Sequence, residues 1–124
     1  MSYKSNQEKL VINATGDLTA NSLTVTTTIY AGGDITAFSD EALKDDVQPI
    51  ENALDKVNSL VGVTYIKDGK QSIGLIAQNV EAVIPQAVQK NSEYMSVAYG
   101  NLVGVLVQAV KELNEEVKRL KENR

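Results

Sequence analysis

A chain of 124 residues has the length of one domain, and this one sets 12 Lys and Arg against 16 Asp and Glu, for a formal charge of -4. It contains neither Cys nor His, which excludes a disulfide framework, a thiolate metal site and the usual acid/base residue near neutral pH; any catalysis has to use Ser, Lys, Tyr or carboxylates. The basic residues are scattered or interleaved with Glu, as in KELNEEVKRLKENR, which argues against nucleic acid as a partner because backbone binding needs a clustered basic face.

The longest apolar run, LVGVLVQAV, is interrupted by Gln108 and is too short to span a bilayer, and Met1 is followed by polar residues rather than a signal peptide. The expectation is a soluble protein made without an export signal, with no membrane partner. No phosphate-cradling Gly loop and no metal-ligand cluster stands out, so no cofactor and no metal are expected.

The N-terminal segment contains a short repeat. Gly16-Asp17-Leu18-Thr19-Ala20 recurs as Gly33-Asp34-Ile35-Thr36-Ala37, 17 residues on, with SLTVTTTIY between the copies. Leu23, Val25, Thr27 and Ile29 alternate with Thr and predict a strand, and the Gly-Asp pairs mark turns. Two copies are equally compatible with ordinary strand-turn-strand chemistry. With one Phe, two Tyr and few aliphatics, residues 1–38 bury too little to offset an ordering cost of roughly 1–2 kcal/mol per residue, so they need partners.

The middle segment is more conventional. In QPIENALDKVNSL, Ile50, Ala53, Leu54 and Val57 fall at i, i+3, i+4 and i+7, and Pro49 suits a first helical position; an amphipathic helix is predicted. VGVTYIKDGKQSIGLIA gives two β-rich runs around Asp68-Gly69, the signature of a two-residue hairpin turn. AQNVEAVIP offers a short helix with Val80, Val83 and Ile84 on one side, stopped by Pro85, and QAVQ and YMSV are candidate short strands.

The last segment has the clearest periodicity. Tyr99, Val103, Leu106, Val110, Leu113, Val117 and Leu120 are spaced 4, 3, 4, 3, 4, 3, with Val at each a position and Leu at the three later d positions. A coiled-coil helix over about residues 100–122 is one reading. The other is a long surface helix packed on its own domain, because Leu102, Val105 and Val107 widen the apolar face beyond a strict seam. Val at a with Leu at d favours two strands by side-chain rule, so the helix alone does not indicate a trimer.

The stretch GDITAFSDEALKDD, residues 33–46, changes character at Ser39, from a Thr-rich, Gly-punctuated run to an acidic helical start with the single lysine Lys44. With His absent, a hydroxyl and an amine are the remaining nucleophile-base pair. A lysine is a base only when neutral, and moving one from a reference pKa of about 10.4 to about 7.5 costs on the order of 4 kcal/mol. Asp40, Glu41, Asp45 and Asp46 oppose that change, and burial of the amine would have to overcome them. A multiple-turnover hydrolase is disfavoured. A single cut in the same chain asks less, because an attached peptide bond reaches an effective concentration of about 10^5 to 10^8 M when well aligned. On spacing alone the plainer reading stays ahead, with Ser39 or Asp40 as a helix cap and Lys44 as a solvated side chain.

SDEALKDDVQPIENALDKV, GLIAQNVEAVIPQAV and YMSVAYGNLVGVLVQAVKELNEEVKRLK together resemble the intramolecular chaperone auto-processing domain at the C-terminus of phage tail spikes and tail fibres, in order and spacing, from Ser39 to about Lys121. The family pattern Ser-Asp, two residues, Leu-Lys falls on Ser39, Asp40, Leu43 and Lys44. The resemblance implies a Ser39-Lys44 dyad, a self-cleaving serine peptidase acting once on its own chain, with the cut between Phe38 and Ser39. Gly74 and Gln78 sit in a central motif, Gly74-Leu75-Ile76-Ala77-Gln78, which the resemblance assigns to structure. The chain departs from the family at Ala42, often Arg, at Asn79, often acidic, and at Ala98, often Asp or Asn.

What the resemblance implies is an α+β protein: residues 1–38 as the C-terminal end of a β-rich fibre stalk, and 39–124 as the chaperone domain, a mixed helix and hairpin unit ending in a coiled-coil helix. It implies a homotrimer that registers the upstream fibre stalk of the same chain, assembly in the host cytoplasm, an upstream fibre in the virion tail, and a chaperone domain released after cleavage or retained if uncut. Two rivals stand beside it: a structural trimerisation tip that does not cut, and an ordinary coiled-coil adaptor in which residues 39–98 contribute little.

Overall fold

In a computed structural model of the chain, residues 18–124 are described, and the chain divides into two units, Met1–Asp40 and Glu41–Arg124. In the first unit, the described residues 18–40 form no helix or strand and are exposed throughout. The strand expected over Leu23–Ile29 is therefore not formed in the single chain. Its alternating side chains have nothing to pair with, and a strand is stable only when its amides and apolar face are both satisfied by a neighbour. Gly16 and Asp17, the first two residues of the repeat's first copy, lie outside the described residues.

The second unit opens with a short 3-10 turn, Glu41–Leu43, closed by the Lys44 N–H donating to the Glu41 carbonyl at 3.0 Å. The acidic helical start goes no further, because Asp46 adopts a left-handed conformation, φ 49, that a continuing helix cannot use. Helix α1 is Ala53–Asn58. It begins later than expected: Asn52 sits at φ 55 and ψ 38, so Pro49 and Ile50 belong to the approach and not to the helix. Ile50 still packs against the core, from the loop.

Strands β1, Val63–Lys67, and β2, Lys70–Gly74, form an antiparallel hairpin in the register Val63 with Gly74 and Lys67 with Lys70. Asp68 and Gly69 both have positive φ, 52 and 74, as the two-residue turn predicted from their identity requires. Helix α2, Ala77–Val83, ends just before Pro85, and a 3-10 turn, Pro85–Ala87, leads into β3, Val88–Gln89. β3 pairs antiparallel with β4, Ser96–Val97, and a bond from the Ala98 N–H to the Ala87 carbonyl at 2.7 Å extends that ladder. After a third 3-10 turn, Tyr99–Asn101, helix α3 runs from Leu102 to Glu122, 21 residues or roughly 30 Å at 1.5 Å each. The architecture is the α+β arrangement expected, with small antiparallel hairpins and a long C-terminal helix. None of the helices among the described residues is long and apolar enough to cross a membrane.

The core is thin. It consists of Ala53, Val80, Ile84, Ala87, Leu102, Val105 and Ala109, with Val80 the one large side chain fully enclosed. α3 supplies three of these, and they fall on one stripe of the helix at i, i+3 and i+7, which is the helical period. The next residue on that stripe is Glu112, whose carboxylate closes the attachment. The Ala53 N–H donates to Glu112 Oε2 at 2.9 Å and the Leu54 N–H to Oε1 at 3.1 Å, so one side chain from α3 satisfies the first two orphan amides of α1. Neither helix has a local side-chain cap at its own start.

Replacing this carboxylate removes two charge-assisted acceptors from part-buried amides. Glu112→Ala is expected to lower unfolding stability by about 1–3 kcal/mol, while Glu115→Ala on the exposed face changes it by less than about 0.5 kcal/mol. Urea unfolding of the full chain followed by circular dichroism checks both; equal midpoints for the two variants would show that the bridge contributes nothing.

Candidate functional site

The residues singled out from the sequence lie in three places. Phe38 and Ser39 end the first unit with Asp40, and Phe38 is 96% exposed. Lys44 follows the opening turn of the second unit, its backbone held by the bond to Glu41, and Leu43 and Lys44 are exposed. Phe38 and Ser39 are both exposed and belong to no helix or strand, so the bond between them is accessible to solvent. Glu41, Asp45 and Asp46, all exposed, surround the lysine in sequence.

Gly74 and Gln78 lie at the second place, where the hairpin meets α2. Gly74 ends β2, and a Cβ there would come within 2.8 Å of the Tyr99 hydroxyl oxygen. That hydroxyl is held against Leu75, accepting from its N–H at 3.1 Å and donating to its carbonyl at 3.4 Å. The glycine is needed for close approach, and the motif is a structural staple between the hairpin and the 3-10 turn Tyr99–Asn101. Tyr99 was expected as the first position of the coiled-coil repeat; the structure gives it this other task, since the turn ends before α3 begins. Gln78 is exposed on α2 and lines a shallow groove with Tyr65, Tyr94 and Tyr99.

Its neighbour Asn79 does more than sequence reading indicated. The Val61 N–H donates to Asn79 Oδ1 at 3.0 Å, and Asn79 Nδ2 donates to the Ser59 carbonyl at 3.1 Å, so one amide pins the loop from α1 to β1 in both directions. A carboxylate at this position could accept but not donate. Glu112 was missed too, because a Glu inside a charged helix carries no local signal of a bond to residues about sixty positions away.

The third place is α3. Its inner stripe is buried, but Val103, Leu106, Val110, Leu113, Val117 and Leu120 all stay exposed, Val110 at 64% and Leu120 at 59%. The reading of a helix packed on its own domain holds for Leu102 and Val105, while the heptad residues lie exposed on a separate apolar stripe. From Leu113 to Glu122 every side chain is exposed. The polar side carries ion pairs one turn apart, Glu115 with Lys118 at 3.6 Å and Glu116 with Arg119 at 2.6 Å. The Arg119 guanidinium, by hydrogen bond and charge, holds the Glu116 carboxyl below its ordinary value.

Residues 39–89 match a peptidase-family model described as "Chaperone of endosialidase". The long tail fiber protein Gp37 of Enterobacteria phage K3 is 40% identical over 94 residues, covering 66% of this chain and 8% of that protein. Long tail fiber protein Gp37 of Salmonella phage S16 is 35% identical over 108 residues, 72% of this chain and 14% of the relative, and that of Enterobacteria phage M1 is 35% identical over 112 residues, 76% and 45%. The chain thus spans less than half the length of each of these relatives. The family resemblance drawn from the sequence holds.

If the staple is the reason for Gly74, then Gly74→Ala and Tyr99→Phe act on one contact. Each alone is expected to cost about 0.5–1.5 kcal/mol, and the double variant no more than the larger single effect, because the second change removes what the first has already displaced. Denaturant midpoints for the four chains of this cycle measure the coupling; additive losses would disconnect the two residues.

Proposed function

From the match of residues 39–89 to the chaperone of endosialidase family, we propose that this chain is the C-terminal part of a phage tail fibre or tail spike, in which residues 39–124 are an intramolecular chaperone for the stalk that precedes them. The observation that carries this reading is the open seam of α3: six heptad side chains stay exposed on a helix whose neighbouring stripe is fixed in its own domain. Such a helix associates with copies of itself without dismantling the domain. Three copies joined there hold three stalks side by side, which converts a slow, high-order encounter into a local one and fixes strand register. That answers the deficit in residues 18–38, which form no ordered element alone. The assembly takes place in the host cytoplasm, and the fibre is a virion component.

In the proposed release step, Ser39 Oγ attacks the Phe38 carbonyl carbon while Lys44 Nζ takes the hydroxyl proton. The Phe38–Ser39 C–N bond breaks, Lys44 returns the proton to the leaving amine, and the resulting ester is hydrolysed by water to a Phe38 carboxylate and a Ser39 N-terminus. A lysine works as a base once it is desolvated. Lys44 is exposed in the single chain, so assembly of the copies has to supply the cover, which would make cutting wait for a completed fibre. With the chaperone gone, the stalk cannot be rebuilt after opening, and its persistence rests on a high unfolding barrier. That same exposure, together with Ala42 inside the cleavage motif, favours a second reading, a trimerisation tip that stays attached and does not cut.

Intact mass of freshly purified wild-type, Ser39→Ala and Lys44→Ala chains separates the two. Self-cleavage predicts a wild-type product beginning at Ser39 and two uncut variants; three full-length masses would leave the structural tip. Association is checked apart from cutting: Leu113→Asp is expected to abolish oligomers by size-exclusion chromatography while leaving the β1–β2 hairpin and core folded, and unchanged elution would remove the seam from the account.

A further inference from the structure

Between Lys44 and the first residue that packs on the core, Ile50, lie only the exposed residues 45–49. Six residues of extended chain reach about 20 Å. A base has to stand within about 3 Å of the proton it takes, so a slack strap of that reach would seldom present Lys44 in the right place.

The strap is not slack. Asp46 is left-handed, φ 49, and its Oδ1 accepts from Gln48 Nε2 at 3.3 Å, while the ring of Pro49 fixes its own φ. Ile50 is where the strap meets the body. It packs against the buried cluster, and a Cβ added to Gly104 would come within 3.5 Å of Ile50 Cδ1, so this side chain lies across the backbone of α3. Beyond it the Glu51 carbonyl accepts from Lys56 Nζ at 3.1 Å and Asn52 turns the chain at φ 55. The Ala53 and Leu54 N–H groups then end on the two oxygens of Glu112, at 2.9 and 3.1 Å. Gly104 beside Ile50 and Glu112 at the start of α1 both belong to α3, so one helix sets where the strap is rooted and how it leaves.

We propose that Glu112 is a positioning residue for the release step: by holding the first two amides of α1 it fixes the root of the strap at Ile50, and with it the place at which Lys44 is presented. This rests on the self-cleavage reading above and adds to it a residue far along the chain from the pair. A carboxylate suits the task because each oxygen takes one N–H; a Gln offers a single oxygen and keeps one of the two bonds. Loss of the bridge leaves the reacting groups in the chain and costs their alignment, and a misplacement of about 1 Å can cost ~100-fold in rate.

Full-length wild-type, Glu112→Ala, Glu112→Gln, Ile50→Ala and Tyr99→Phe chains are made by cell-free synthesis. The fall of the uncut band is timed on denaturing gels after synthesis stops, and oligomers are read on native gels of the same samples. Glu112→Ala and Ile50→Ala are expected to cut about tenfold or more slowly while still associating, with Glu112→Gln between Glu112→Ala and wild type. Tyr99→Phe, which loosens the hairpin staple instead, is expected to cut at the wild-type rate. Equal slowing in Tyr99→Phe would make the effect one of general stability, and a monomeric Glu112→Ala would make it one of assembly; either overturns the proposal, as does a wild-type rate in Glu112→Ala. If Glu112→Ala fails to fold, Glu112→Gln against Tyr99→Phe decides in the same way. A wild-type chain that stays whole would remove the self-cleavage reading, and the proposal with it.

Discussion

The lengthwise division of α3 is the constraint on which the rest depends. Along one stripe, Leu102, Val105 and Ala109 are buried and Glu112 caps α1; along the next, the heptad residues from Val103 to Leu120 are exposed among the described residues. The carboxylate bridge marks where attachment stops. Past it, nearly three turns project with every side chain exposed, and a helix of that length is not stable in water by its own propensity. Its ion pairs are exposed and contribute little. The helix therefore has its first half anchored in the domain and its second half unsupported by it, and in the proposed assembly other copies supply that support.

A thin core follows the same logic. Seven buried residues, most of them Ala, Val or Ile, enclose too little apolar surface to make this unit robust, and many of its larger apolar side chains remain outside. In the proposed assembly, association buries those and adds to the stability of the fold by mass action. For a chaperone of the proposed kind this is an advantage. A unit that is further stabilised when several chains meet would hold the stalks together at the moment they can begin to pair.

How far the sequence could be read depended on the range of the interactions involved. The hairpin around Asp68-Gly69 was legible because a two-residue turn is set by the φ preferences of its own residues, and the end of α2 because Pro85 acts locally. The periodicity of α3 was legible, but its split into two faces was not: Leu102 and Val105 look like seam-widening residues until a domain is placed against them. α1 starts later than its apolar spacing suggested, since the conformation of Asn52 outweighs the pattern at Ile50. Tyr99, Asn79 and Glu112 act across 18 to 59 residues of chain, through single side chains on distant backbone, and no local window carries that information. The proposed catalytic pair came from the motif alone; Phe38, Ser39 and Lys44 lie on exposed chain whose character composition does not set.

Sedimentation equilibrium of the Ser39→Ala chain tests the central claim most directly, because the variant keeps the chain whole if self-cleavage occurs. A seam left open for other copies predicts a mass that is a whole multiple of 13.4 kDa and that falls toward one chain on dilution. A single 13.4 kDa species at every concentration would contradict it, and the exposed stripe of α3 would then be the outer face of a monomer.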